Sequence, residues 1–113
     1  MWLCTKHGFF SIVQKGHVEF HIRARVKRDL ENLKKIAGIK RRIFVSEDAD
    51  YRYRIVGIQA DVFLALTALA GSINYTNFKS MIARTEDQRD KLEAYHEIWR
   101  VMADVQRGKR STE

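Results

Sequence analysis

Val18-Glu19-Phe20-His21-Ile22-Arg23-Ala24-Arg25-Val26 alternates apolar and polar residues without a slip. Successive side chains of a strand point to opposite faces, so this is the period of a half-buried strand. Positions 18, 20, 22, 24 and 26 turn to a core, and Glu19, His21, Arg23 and Arg25 turn away from it. Upstream, Phe9 to Gln14 is aromatic or β-branched apart from Ser11 and Gln14 and reads as a second strand, joined to the first by the tight Lys15-Gly16-His17 connection. A hairpin over 9–26 is therefore the local anchor of the fold.

Downstream the period changes. Leu30, Leu33 and Ile36 or Ala37 recur at helical spacing and Gly38 supplies a stop, which predicts a helix over 27–37. Residues 42–46 read as a third strand, Glu47-Asp48-Ala49-Asp50 as a polar turn, and Tyr51-Arg52-Tyr53-Arg54-Ile55-Val56 as a fourth strand closed by Gly57. Residues 59–72 are apolar around most of a helix and should be the most buried element. Strand, strand, helix thus occurs twice, over 9–38 and 42–71, with Trp2–Thr5 as a further edge strand. The expected class is α+β: a four- to five-stranded, mostly antiparallel sheet built from tandem ββα units, helices on one face and a C-terminal helix packed over it.

The last third is expected to be helical. Asn74 to Arg84 carries Tyr75, Phe78, Met81 and Ile82 on one side, and Thr85-Glu86-Asp87-Gln88 has the form of a capping box. Leu92, Tyr95, Trp99, Met102 and Gln106 then recur in steps of three and four, an inward stripe, while Ile98, Val101 and Val105 form a second apolar line suited to a partner subunit. A homodimer through these three residues is the expectation. One domain over 1–106 and a short basic tail over 107–113 complete the organisation.

Composition narrows the function classes. The chain has 113 residues, 45% hydrophobic and 31% charged, with no proline, which excludes collagen-like, disordered and disulfide-scaffold proteins. The formal net charge is +7, and residues 23–42 hold all of the surplus, nine basic side chains against two acidic; the remaining chain balances at 12 of each. A surplus gathered in one segment makes a field that attracts polyanions, although a basic face also serves solubility alone. Cys4 is single, so neither an internal disulfide nor a cysteine zinc site is available, and its neighbours Trp2 and Leu3 suggest a buried thiol. The longest apolar run, Val62–Gly71, falls well short of the ~20 residues of a membrane span, and the start lacks a secretory pattern. A cytoplasmic protein without a membrane partner is expected.

The pieces Met1-Trp2, Gly8-Phe9-Phe10-Ser11, Ile22-Arg23-Ala24-Arg25, Asp50-Tyr51-x-Tyr53-Arg54, Asn74-Tyr75-x-Asn77-Phe78-Lys79 and Tyr95-His96-x-x-Trp99 resemble, as a set, a group of small uncharacterised bacterial and phage proteins. The resemblance spans nearly the whole chain. It implies a whole-domain boundary and a bacterial or phage origin, and brings no activity with it.

The residues themselves point to the sheet face opposite the helices. Burying Tyr51 and Tyr53 and exposing Arg52 and Arg54 is the cheaper orientation of the fourth strand, because buried guanidiniums would be stranded. Arg23, Arg25, Arg42, Arg52 and Arg54, with His21, then share one exposed surface that Phe9 or Phe44 can join. Cations beside open rings suit single-stranded nucleic acid, whose phosphates take the guanidiniums and whose bases stack on the rings. The plainer reading is a solvated face of an antiparallel sheet. Asn74 to Lys79 reads as a helix cap with aromatic anchors rather than an anion site. His7, His17, His21 and His96 are scattered, and Glu47, Asp48 and Asp50 lack the ligand ladder of a calcium loop, so no metal site or cofactor is expected. The leading expectation is a non-catalytic module for nucleic acid or another polyanion. A factor docking on an acidic protein is the alternative, and a small nuclease using His21, Tyr53 and Arg23 comes third.

Overall fold

Three isoleucines set the frame. In the computed structural model, which describes residues 1–109, Ile12, Ile22 and Ile55 stand opposite one another on three adjacent strands and are buried. The strands are β1 (Trp2–Thr5), β2 (Gly8–Lys15), β3 (Glu19–Ala24), β4 (Phe44–Val45) and β5 (Tyr53–Gly57). They lie in the order β1-β2-β3-β5-β4 and every neighbouring pair is antiparallel. Helix α1 (Lys27–Ala37) follows β3 and α2 (Gln59–Gly71) follows β5. The two ββα halves are laid so that their inner strands, β3 and β5, pair with each other, and β1 extends the first half outward.

One sheet face and the two helices form the core. Phe10, Ile12, Ile22, Ala24 and Ile55 from the sheet meet Leu30 and Leu33 of α1 and Val62, Ala65 and Leu69 of α2. Helix α1 stops where Gly38 takes a left-handed φ of 69° and its N–H returns to Lys34 O, a conformation that glycine reaches without a side-chain penalty. Helix α2 starts where Asp61 Oδ2 accepts the Ile58 N–H at 2.8 Å and Arg41 Nε at 2.7 Å. Asp29 of α1, buried, accepts the Phe9 N–H at 3.1 Å and so ties the helix to the start of β2.

From Tyr75 onward the chain forms a second compact unit, described by itself. It comprises α3 (Phe78–Arg84), a 3-10 turn (Arg89–Lys91) and α4 (Leu92–Gln106). Asn77 Oδ1 caps α3 by accepting the Ser80 N–H at 2.8 Å, and the Phe78 ring sits 5.0 Å from that of Tyr95. Arg107 and Gly108 end α4, with the Lys109 N–H reaching Asp104 O, so the expected basic tail begins as a helix cap; residues 110–113 lie outside the described residues.

Several expectations are corrected. Val18 belongs to the turn and is exposed, so the alternating strand begins at Glu19. Cys4 is exposed, because the β1–β2 register sets it opposite Phe9 on the face away from the helices. Helix α2 is not the most buried element: Val62, Ala65 and Leu69 are covered while Phe63 and Leu64 are exposed, since a helix lying on a sheet covers only one stripe. Thr85 forms no capping box with Gln88; its hydroxyl donates to Met81 O and α4 starts only at Leu92. Of the expected inward stripe, Tyr95 is buried, but Trp99 and Met102 are exposed.

The approach of α1 to β2 leaves no room at Gly8. A Cβ there would stand 2.5 Å from Asp29 Cβ, a backbone-fixed atom, and Gly8 itself has a φ of 155°. Gly8→Ala should cost about 1–3 kcal/mol in a urea melt, in the range of overpacking. Gly71→Ala, whose added Cβ meets nothing within 4 Å, should not lower the midpoint. An unshifted midpoint for Gly8→Ala contradicts the assigned contact.

Candidate nucleic-acid interface

The sheet face away from the helices is organised in a row. Trp2 stands opposite Ser11, Ser11 opposite Arg23, Arg23 opposite Arg54, and Arg54 opposite Phe44, one residue from each of the five strands. Directly opposed residues of antiparallel strands share a face, and strands lie about 4.8 Å apart, so the row runs about 19 Å from Trp2 to Phe44. It is one residue removed from the isoleucine row of the core, on the other side of the same pleat. Trp2 is 74% exposed and Phe44 39%. Each end of the row therefore carries an accessible ring.

The middle is cationic and rests on a tyrosine. The Tyr51 ring is only 4% exposed yet lies outside the hydrophobic core cluster. It is covered by the guanidiniums of Arg23 and Arg25, whose central carbons stand 4.4 Å and 4.2 Å from its centroid. Arg23 Nη2 donates to Ser11 Oγ at 2.7 Å, and Arg25 Nη1 donates to Asp50 O at 2.6 Å. Arg54 Nη1 donates to His21 Nδ1 at 3.0 Å. Because a guanidinium is always the donor, His21 holds its proton on Nε2 and gives that bond to Glu19 Oε2 at 2.7 Å. Arg23, Arg25 and Arg54 have no carboxylate partner among the described residues, and the Nε atoms of Arg23 and Arg54 are buried without an acceptor. The unneutralised charge favours an incoming anion at the outward Nη groups, whereas the buried Nε donors are out of a ligand's reach.

Not every expected member joins this group. Arg52 is paired with Glu47 at 3.4 Å and brings its own counter-ion. Arg42 precedes β4 and stacks over Phe44, its central carbon 4.1 Å from the ring centroid. Tyr51 corrects the expectation that both tyrosines face the core. The polar turn runs on to Arg52, with the Tyr51 N–H on Asp50 Oδ1 at 2.8 Å, so β5 begins at Tyr53 and Tyr51 escapes the alternation. Tyr53 does pack against the core, which places it across the sheet from His21. The residues imagined for a nuclease are thus not brought together. Phe9 joins the outer face beside Trp2, their rings 6.4 Å apart.

Sequence reasoning missed Tyr51 as a platform, Ser11 as an acceptor and Trp2 as the end of the row. The length of the acidic turn before Tyr51 was the available signal for the first. On α4, Ile98 and Val105 are exposed and Val101 is half-buried. Among the described residues no three His, Cys, Asp or Glu side chains group as metal ligands, and no helix is long and apolar enough to cross a membrane. Scans against protein-family models, curated proteins and solved structures return no match.

Two checks follow from this geometry. Tyr51→Ala should cost about 3 kcal/mol, because it removes a covered ring, whereas Trp2→Ala should stay within about 0.5 kcal/mol, as exposed positions do; equal losses in denaturant melts contradict the assigned burial. Cys4 offers the second. Partial desolvation raises the pKa of its thiol, so the neutral form dominates at pH 7 despite the exposure. Alkylation should be slower at pH 7 than for a free cysteine and should accelerate steadily through the alkaline range; a fast reaction at pH 7 contradicts it.

Proposed function

We propose that this protein is a non-catalytic binding module that holds single-stranded nucleic acid on the open face of its sheet. The observation that carries the reading is the cross-strand row: exposed rings at both ends, Trp2 and Phe44, and guanidiniums without carboxylates between them. Arg23, Arg25 and Arg54 suit phosphates, which accept two parallel hydrogen bonds from one planar guanidinium. Exposed rings suit unpaired bases, whose faces are hidden in a duplex. A stacked base is worth about 1–3 kcal/mol, so two rings are enough to hold a short strand in place. The stacking of Arg23 and Arg25 on Tyr51 keeps the cations oriented before any ligand arrives, which lowers the ordering cost of binding.

The test is fluorescence anisotropy with labelled single-stranded DNA and RNA oligonucleotides. Neutralising three phosphates predicts a log–log salt slope of about −2, from about −0.7 per phosphate on a single strand. Arg25→Glu is the informative variant, since Arg25 is exposed and its one hydrogen bond among the described residues goes to a turn carbonyl; it should weaken binding about tenfold or more, the loss of roughly 1.4 kcal/mol. Removing the ring in Phe44→Ala should weaken it by about 1–3 kcal/mol. Absence of oligonucleotide binding at low salt, or wild-type affinity in Arg25→Glu, overturns the proposal and turns attention to an acidic protein partner.

A further inference from the structure

Beside the edge strand β4 a second basic surface opens. A groove of about 520 Å³ lies between α1 and the chain entering β4, lined by Lys27, Glu31, Lys34, Lys35, Arg42 and Ile43. Four of the six residues are cationic and one is acidic. None of Lys27, Lys34, Lys35 and Arg42 has an ion pair among the described residues.

Arg42 belongs to both surfaces. Its guanidinium lies over the Phe44 ring, the last member of the cross-strand row, and the same side chain lines the groove. Strand β4 is only two residues long and exposed, so nothing within the sheet closes this edge. Arg42 thus joins Phe44, which stands opposite Arg54 on the sheet, to a groove that holds Lys34 and Lys35 of α1 along with the acidic Glu31. The two surfaces differ in kind. The row offers rings and planar guanidiniums, whereas the groove offers mostly lysines, which act on phosphate as mobile point charges.

We infer that the groove extends the nucleic-acid site: a single strand whose bases stack across the sheet turns over β4 at Phe44 and continues with its phosphates along α1. This rests on the function proposed above. The contact with the groove is a backbone contact, so it adds affinity and salt dependence without sequence preference. It is also reached only by strands longer than those the row can hold.

Length separates the inference from the reading beneath it. Anisotropy titrations with oligonucleotides of about 4 and about 14 nucleotides, near the ends of the range held by small single-strand modules, are run on the wild-type chain and on Lys34→Ala/Lys35→Ala and Arg25→Glu. Lys35 is exposed and Lys34 half-buried, both are outside the hydrophobic core, and circular dichroism checks that the fold is kept. The expected result is that the lysine variant matches wild type on the short strand but binds the long one several-fold more weakly, with a salt slope reduced by about 1.4, the share of two phosphates. Arg25→Glu should weaken both lengths. If the lysine variant matches wild type on both lengths while Arg25→Glu fails on both, the groove is overturned and the sheet face stands. Equal weakening of the lysine variant on both lengths overturns it too, since the groove would then be no extension. If the wild-type chain binds neither length, the sheet-face reading falls and takes the groove with it.

Discussion

Arg23 and Arg54 stand directly opposite each other on adjacent strands, and the outer half of the sheet is arranged around that opposition. Like charges in this position are destabilising by an amount on the order of 1 kcal/mol. The surroundings disperse the cost without cancelling the charge. Arg23 is drawn sideways to Ser11 and over the Tyr51 ring, while Arg54 is drawn to His21 Nδ1 and the Tyr51 carbonyl. Each of these partners is neutral or a ring face; His21 in turn leans on Glu19. A carboxylate in the same place would have ended the repulsion. Its absence leaves the charge of the pair unneutralised.

The opposition is imposed by the core. Side chains alternate along a strand, so the register that aligns Ile12, Ile22 and Ile55 on the inner face also aligns Ser11, Arg23 and Arg54 on the outer one. Slipping β5 against β3 by one residue would relieve the arginines only by turning Ile55 to solvent and a guanidinium into the helices. Burying an isoleucine is worth about 1.5–3 kcal/mol, and a stranded internal cation costs far more. The inner row therefore wins, and the outer row inherits a geometry that would not form alone. In this way the packing of α1 and α2 determines where the cations sit.

How much of this could be read from sequence follows from how local each determinant is. The alternation over 19–24 assigned the faces of β3 correctly, because period two is a property of the strand itself. The tandem halves and the antiparallel sheet followed from the order of the elements. Failures cluster where a boundary or a distant partner decides. Val18 and Tyr51 were assigned to strands that turns had already claimed, at the ends where alternation and turn chemistry compete. Cys4 and Trp2 face outward through pairing with β2, a register that depends on the turn at Thr5–Gly8. On α4 the step pattern was sound but the covering surface is short: α3 spans seven residues, about 10 Å, against about 22 Å for the fifteen of α4. Within that unit α3 packs Phe78 on Tyr95 and reaches Trp99 only with the Lys79 ammonium, 4.4 Å from the ring centroid, so Trp99 and Met102 stay exposed.

The alternative to a binding surface is a solvated sheet face, and the burial of the unpaired arginines bears on the choice. Several arginines elsewhere stand beside an acid: Arg41 with Asp61 at the start of α2, Arg52 with Glu47 across a turn, Arg100 with Glu97 and Asp104 along α4. Arg84 and Arg89, which have none among the described residues, are exposed, unlike the half-buried Arg23 and Arg54. A solvated face needs polarity, which threonine, lysine and glutamate supply at lower cost than half-buried guanidiniums with unmet Nε donors. Nor does solvation account for the rings. Trp2 and Phe44 occupy the two edge strands, where exposed apolar surface invites edge-to-edge association and charge is the usual protection. Placing rings at both edges and unpaired cations between them reverses that arrangement. The reversal is understandable if the surface is completed by a ligand that is itself a chain of rings joined by anions.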